Sequence, residues 1–238
     1  MESKNTLQAI VNKNISINIK RALINNNIKV YETCKVNKLN TSLSFHPDIQ
    51  IHFLDKNFAV CAPEVYEYYK KILPKNIKLY KGEKNLSVTY PLDCAYNVAR
   101  FGDYVIGNLN SMSSVIKEEY TKKQYSFIHV NQGYAKCNIC IVNSHAIITE
   151  DPGIYSQISD ISEIDCLYLN PGEIILKGYS HGFIGGASGN CEKSIYFCGN
   201  LKDFSQRKKL NDFLKKHNAK VIELSNDPLE DYGSIIFF

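Results

Sequence analysis

The sequence predicts an α/β fold built as a five-bladed propeller of strand-strand-helix-strand repeats, and three observations carry the prediction. Four segments of one kind recur: HPDIQIHFLDKNFAVCAP, DCAYNVARFGDYVIGN, KCNICIVNSHAIITED and GGASGNCEKSIYFCGN. Their openers (His46 to Asp48, Asp93, Lys136 and Gly185) are separated by steps of 47 (46 to 93), 43 (93 to 136) and 49 (136 to 185). Periods of that size mark propellers, solenoids and arrays. Second, each hairpin is followed by an amphipathic helix and a third short strand. Third, the two ends of the chain supply the pieces of one further unit, so that five units of about 48 residues fill the chain.

In chain order, LQAIVNK reads as a second strand, NISINIKRALINN as a helix and NIKVYETC as a third strand. Their missing first strand is expected at the other terminus, in PLEDYGSIIFF, which echoes PLDCAYNV and places Asp231 where Asp93 stands. The helices of the four complete units are expected at Pro63 to Leu73, Ser111 to Tyr120, Pro152 to Ser159 and Asp203 to Lys216. Val65, Ile72 and Leu73 form an apolar stripe on the first, and Leu210, Phe213 and Leu214 on the last. Pro63 and Pro152 suit a first helical turn, and Asp203 an N-cap. The third strands are NIKLYKG, SFIHVNQG, DCLYLNPG and AKVIELSND, three of which end at the glycine that leads into a turn. Joining the first and last strands in one blade closes the ring and removes exposed sheet edges.

At 44% hydrophobic and 22% charged residues, the 238-residue chain is ordinary globular material, expected to form one domain over residues 1–238. The net charge of +4 is mild, and the densest basic groups, Arg207 to Lys209 and Lys215 to Lys216, fall on the outer face of one helix. No recognised nucleic-acid motif accompanies them, which argues for a solvated face and against nucleic acid as a partner. MESKNTLQ has no charged-then-apolar leader and no apolar stretch approaches 18 residues, so a cytoplasmic protein without membrane association is expected.

Eight cysteines without a secretory signal read as thiols rather than disulfides. Cys137 and Cys140 form the one C-x-x-C, but it lies in a strand-like run, where residues three apart face opposite ways, and a second ligand pair is absent. No metal and no cofactor is expected. Cys61, Cys166 and Cys198 follow the apolar alternation of core strands.

Fivefold repetition of this unit resembles the pentein superfamily, the guanidine-group modifying enzyme fold. PLDCAYN at Pro91 to Asn97 is similar to the family's strand-opening Asp segment, and His181 falls where a blade-opening His is expected. QGYAKC and GFIGGASG resemble the signature of an uncharacterised branch. The superfamily includes arginine deiminase, dimethylarginine hydrolase, agmatine deiminase and amidinotransferases, and also a non-catalytic ribosome anti-association factor. The resemblance implies an axial polar cleft for a small guanidino or amino-acid-like molecule, with hydrolase or amidinotransferase activity; the alternative is a binding module for a protein or ribonucleoprotein.

A guanidinium is planar, cationic and rich in donors, so carboxylates should hold it. Asp93, Asp231 and Asp48 stand at related openers, each with the second reading of a strand or turn cap. Lys136 either offsets these carboxylates or binds an acidic group of the ligand. The family nucleophile is a cysteine of the last blade. Here the last cysteine is Cys198, and the segment from Asp231 to Ser234 has no thiol. Cys137, beside Lys136, is the replacement the sequence offers, although strand alternation would turn Cys137 and Cys94 away if Lys136 and Asp93 face the centre. His181, in YSHGFIGG, is either a general acid or base or a turn histidine. The other histidines, 52, 129, 145 and 217, read as surface positions, and His46 precedes an opener. Gly182, Gly185, Gly186 and Gly189 lead into a hairpin rather than a helix, which suits close backbone packing better than a phosphate cradle.

Overall fold

The computed structural model describes residues 6–238. The chain starts with β1 (Gln8–Val11), α1 (Ile17–Asn25) and β2 (Lys29–Glu32). A short α2 (Pro47–Gln50) leads into β3 (Ile51–Asp55), β4 (Phe58–Cys61), α3 (Tyr66–Ile72) and β5 (Lys78–Lys81). The next unit is β6 (Ala99–Phe101), β7 (Tyr104–Gly107), α4 (Ser114–Lys122) and β8 (Ser126–His129). Then come the helical turn α5 (Ala135–Asn138), β9 (Ile139–Ile141), β10 (Ala146–Thr149), α6 (Pro152–Ile158) and β11 (Asp165–Tyr168). The last complete unit is β12 (Ser188–Cys191), β13 (Ser194–Phe197), α7 (Arg207–Lys216) and β14 (Lys220–Glu223), and the chain ends on β15 (Ile236–Phe237).

These strands form five three-stranded sheets, four of them in the orders β3-β4-β5, β6-β7-β8, β9-β10-β11 and β12-β13-β14. In each, the first strand is antiparallel to the middle one, and the third, reached through the helix, is parallel to it. The fifth sheet is β15-β1-β2: Ala9 and Ile10 pair antiparallel with Phe237 and Ile236, and β1 runs parallel to β2. A parallel pair needs a crossover, and the helix supplies one in every unit.

The middle strands are buried on both faces, which is why they read as short apolar runs. Period-two alternation sends successive residues to different neighbours. Ile147 packs with Ala99 and Ile106 of the second unit, while Ala146 and Ile148 pack with Ile195 and Phe197 of the fourth. In β1, Ala9 and Val11 pack on Tyr196 and Cys198, whereas Ile10 joins Ile51, Val60 and Val105. Each helix presents one buried stripe: Ile19 and Leu23 of α1, Ile116 and Tyr120 of α4, Leu210, Phe213 and Leu214 of α7. Asp151 caps α6 through a hydrogen bond from Ile154 N (2.8 Å), with Pro152 in the first turn as anticipated.

Three expectations change. α7 starts at Arg207, so Asp203 lies in the preceding turn and Gln206 is the N-cap residue. Openers are not strand residues: Pro47 at the first helical position winds Pro47–Gln50 into a helical turn, and Lys136 and Cys137 lie in α5. His52 is not at the surface; it is 6% exposed and shares a hydrogen bond (2.7 Å) with Tyr120 OH, and burial lowers its pKa to about 3. Among the described residues no helix is long and apolar enough to cross a membrane.

Deleting residues 236–238 should strip β1 of its antiparallel neighbour and lower stability by about 3 kcal/mol, roughly 1 for each half-buried apolar side chain removed. Calorimetry of the truncated chain checks this, and an unchanged melting temperature would contradict the β1–β15 pairing.

Candidate functional site

The first strands of successive units lie against one another, β6 on β9, β9 on β12 and β12 on β15, so their leading residues meet. A cavity of about 470 Å³ runs along these strands. Ile51, Phe53, Val98, Arg100 and Phe238 form part of its wall, and the exposed hairpin residues Lys56 and Glu192 stand at one end. At the other end are Asp48 and Lys136.

Asp48 is the hub of this inner end and is 1% exposed. Its Oδ2 accepts hydrogen bonds from Cys137 Sγ (2.9 Å) and Ser234 Oγ (2.8 Å). Ser234 has one proton, which Gly185 O (2.9 Å) also attracts, and its Oγ accepts from Lys136 Nζ at 3.0 Å. Ser234 adopts φ +72°, a left-handed conformation costly for a residue with a Cβ, directly after Gly233 at φ +78°. Asn97 holds the other side: its Oδ1 accepts from Lys136 N (2.7 Å) and Cys137 N (3.2 Å), capping α5 from another unit, while Nδ2 donates to Cys137 Sγ at 3.3 Å.

Asp231 accepts from Phe183 N (3.0 Å) and Gly233 N (2.8 Å). Its Oδ1 lies 4.0 Å from His46 Nδ1, and both side chains are 1% exposed. Within this enclosed group, among the described residues, the Nδ1 of His46 and the Oδ1 of Asp48 have no hydrogen-bond partner. Buried polar atoms are nearly always satisfied, so two orphans in one enclosed group single it out as the candidate site. Burial pushes the pKa of Asp48 up, Asp231 up to about 6 and His46 down. It raises the Cys137 thiol well above its ordinary value, helped by the charges of Asp48 and Asp231, so the resting group is a protonated thiol.

Of the residues the sequence singles out, Asp48, Lys136, Cys137 and Asp231 come together here. Cys137 does not turn away from Lys136's side: in a helical turn neighbours are about 100° apart rather than 180°, and both reach the hub. Asp93, 4% exposed, stands apart, its Oδ2 accepting from Tyr134 OH and its Oδ1 from Cys94 Sγ at 3.2 Å. Cys94 therefore also faces its neighbouring Asp. His181 is half-buried and pairs through Nδ1 with Ser180 Oγ at 3.1 Å. The glycines pack as anticipated: a Cβ on Gly185 would lie 2.4 Å from Lys136 O, and one on Gly186 2.0 Å from Asp231 Oδ1.

Sequence reasoning passed over His46, Ser234, Asn97 and Glu150. The first two had a signal, since His46 adjoins an opener and Ser234 falls in the segment where the family thiol was sought. Glu150, 2% exposed, accepts from Ile184 N (2.7 Å) through Oε2, while Oε1 has no partner. Burial raises its pKa to about 8.

The sequence matches, over residues 10–236, a family described as "Family of unknown function (DUF6873)". No curated protein matches it. Solved structures do resemble the fold. Dimethylarginine dimethylaminohydrolase from Pseudomonas aeruginosa, a cysteine-to-serine mutant complexed with citrulline, superposes with TM-score 0.57 at 8% identity over 92% of this chain and 91% of its own. Agmatine deiminase of C. jejuni, a cysteine-to-serine form with substrate bound, gives 0.54 at 10% over 97% and 92%. An amidinotransferase of the saxitoxin pathway from Microseira wollei gives 0.54 at 12% over 90% and 76%. At such identities the likeness establishes the fold alone.

A carboxyl whose folded pKa is raised favours folding in its protonated form; that contribution is complete below the unfolded value near 4.5 and is lost as pH rises to about 8. Glu150→Gln keeps an acceptor for Ile184 N without the charge. Its melting temperature should match wild type near pH 4.5 and exceed it increasingly towards pH 8, by at most about 1.4 kcal/mol per pH unit. A constant difference across that window would contradict the burial of this carboxyl.

Proposed function

We propose, for a chain that belongs to the DUF6873 family of unknown function, that the cavity is the ligand site of a pentein-type protein. In this reading the five sheets are blades of an α/β propeller, one domain over residues 1–238, closed by the sheet that β15 and β1 share. The ligand is a small guanidino or amino-acid-like molecule. The observation that carries the reading is the unpartnered Oδ1 of Asp48 beside the inner end of a 470 Å³ cavity. That volume suits a small ligand, and a buried carboxylate with a free acceptor suits a planar cationic donor group. Arg100 in the wall and Lys136 near Asp48 offer cationic partners for a ligand carboxylate.

The leading reading is catalytic, a hydrolase or amidinotransferase. Cys137 Sγ attacks the guanidinium carbon and its proton passes to Asp48 Oδ2. The bond from that carbon to the departing nitrogen breaks, and the nitrogen takes the proton from Asp48. Water then displaces Cys137 from the adduct and restores the thiol, releasing one proton; in a transfer a neutral acceptor amine displaces it instead, giving a new guanidinium and the thiol with no proton released. A guanidinium beside Cys137 offsets the two carboxylates that hold the thiol protonated, so thiolate forms with substrate in place. His46 stands ready to accept the released proton, whereas His181 and Asp93 do not line this cavity and take no part in these steps. A second reading, binding without turnover, is favoured by one observation: Ser234 rather than a cysteine stands two residues before the last strand, hydrogen-bonded to Asp48.

Guanidino compounds such as arginine should raise the melting temperature of the wild-type chain. Asp48→Asn should weaken that binding by about 1.5 to 3 kcal/mol, the usual worth of a charged hydrogen bond. Equal shifts in both proteins would contradict the reading. Turnover is tested separately: Cys137→Ser should keep the shift and lose ammonia or amine release. A wild-type chain that binds and releases nothing establishes the second reading.

A further inference from the structure

We propose that His46, Asp48 and Cys137 form a binding site for a divalent transition-metal ion, zinc by the chemistry of the ligands. One ligating atom from each lies within 4.8 Å of the others, and all three residues are buried. Thiolate, imidazole and carboxylate together are a borderline-soft set that suits zinc better than magnesium or calcium, which prefer oxygen alone. The C-x-x-C of the sequence is not the source: Cys140 faces the packing between the third and fourth units, and the partners of Cys137 come from the first unit instead.

Two further observations point to a cation. His46 Nδ1 and Asp48 Oδ1, on two of the three residues, are buried side-chain atoms without a hydrogen-bond partner. The carboxylate of Asp231, 4.0 Å from His46 Nδ1, adds negative charge on the Nδ1 side of the imidazole. Lys136 opposes this, but its Nζ is spent on Ser234 Oγ rather than on a ligating atom. Asp48 also lines the cavity, which gives the ion an entry path. Three protein ligands leave a fourth position for water or a substrate atom, the arrangement of catalytic rather than structural zinc. On binding, the Sγ–H bond of Cys137 gives way to an Sγ–metal bond and the proton leaves to solvent.

The site goes beyond the guanidino reading but shares Asp48 with it, so a metal ion and a guanidinium compete for the same acceptor. Titration of the chelator-treated full chain with Co²⁺, without any guanidino compound, tests the metal alone. A thiolate-to-cobalt charge-transfer band should grow to one equivalent and disappear when Zn²⁺ is added. Cys137→Ser should abolish the band. His46→Gln should weaken binding at least about tenfold, no less than the loss of an outer partner costs. Absence of the band, or its persistence in Cys137→Ser, overturns the site; if that variant does not fold, unchanged affinity in His46→Gln overturns it equally. Failure of the guanidino thermal shift leaves this result untouched.

Discussion

Two-sided burial of the middle strands is the constraint on which the rest depends. A strand such as β10, with Ala146 and Ile148 turned to one neighbour and Ile147 to the other, cannot be stable in an isolated unit. Each unit must therefore be flanked, and the terminal halves supply the flank that the first and fourth complete units would otherwise lack. Ala9 and Val11 pack against the fourth unit and Ile10 against the first. This arrangement commits the first strands to one shared interior.

That interior is where packing and chemistry conflict. Residues that lead the first strands come from distant parts of the sequence and meet where space is short, which explains Gly185 and Gly186. Into the same volume the chain places Asp48, Asp231, His46, Cys137 and, less deeply, Lys136. Each buried carboxyl costs desolvation energy, seen in the upward shifts of Asp48, Asp231 and Glu150. A core optimised only for stability would replace such a set by apolar residues of similar volume. Keeping it, with acceptors left open on Asp48, fits a site whose energy is recovered when a ligand arrives.

The repeat was legible because hairpin, helix and third strand each leave a periodic trace in sequence, and the five sheets follow the anticipated order. Helix ends were less legible where capping was not local: Asn97 caps α5 across 39 residues, and no nearby residue signals it. The candidate site was half legible. Charged openers betrayed Asp48, Lys136 and Asp231, and Cys137 was flagged by its neighbour. Its orientation was misjudged because a strand was assumed where Ala135–Asn138 winds a helical turn. Ser234 and His46 escaped because their roles depend on contacts 186 and 185 residues away in sequence, with Asp48 and Asp231.

The central claim is that Asp48 is retained for a ligand and not for the fold. The melting temperature of Asp48→Asn, measured without ligand or metal, tests this most directly. The amide oxygen can still accept from Cys137 and Ser234 while the buried charge is gone, so the account predicts stability equal to or above that of wild type. A loss of about 1 to 3 kcal/mol, the cost of breaking a needed buried hydrogen bond, would show that Asp48 holds the fold together and would contradict the account.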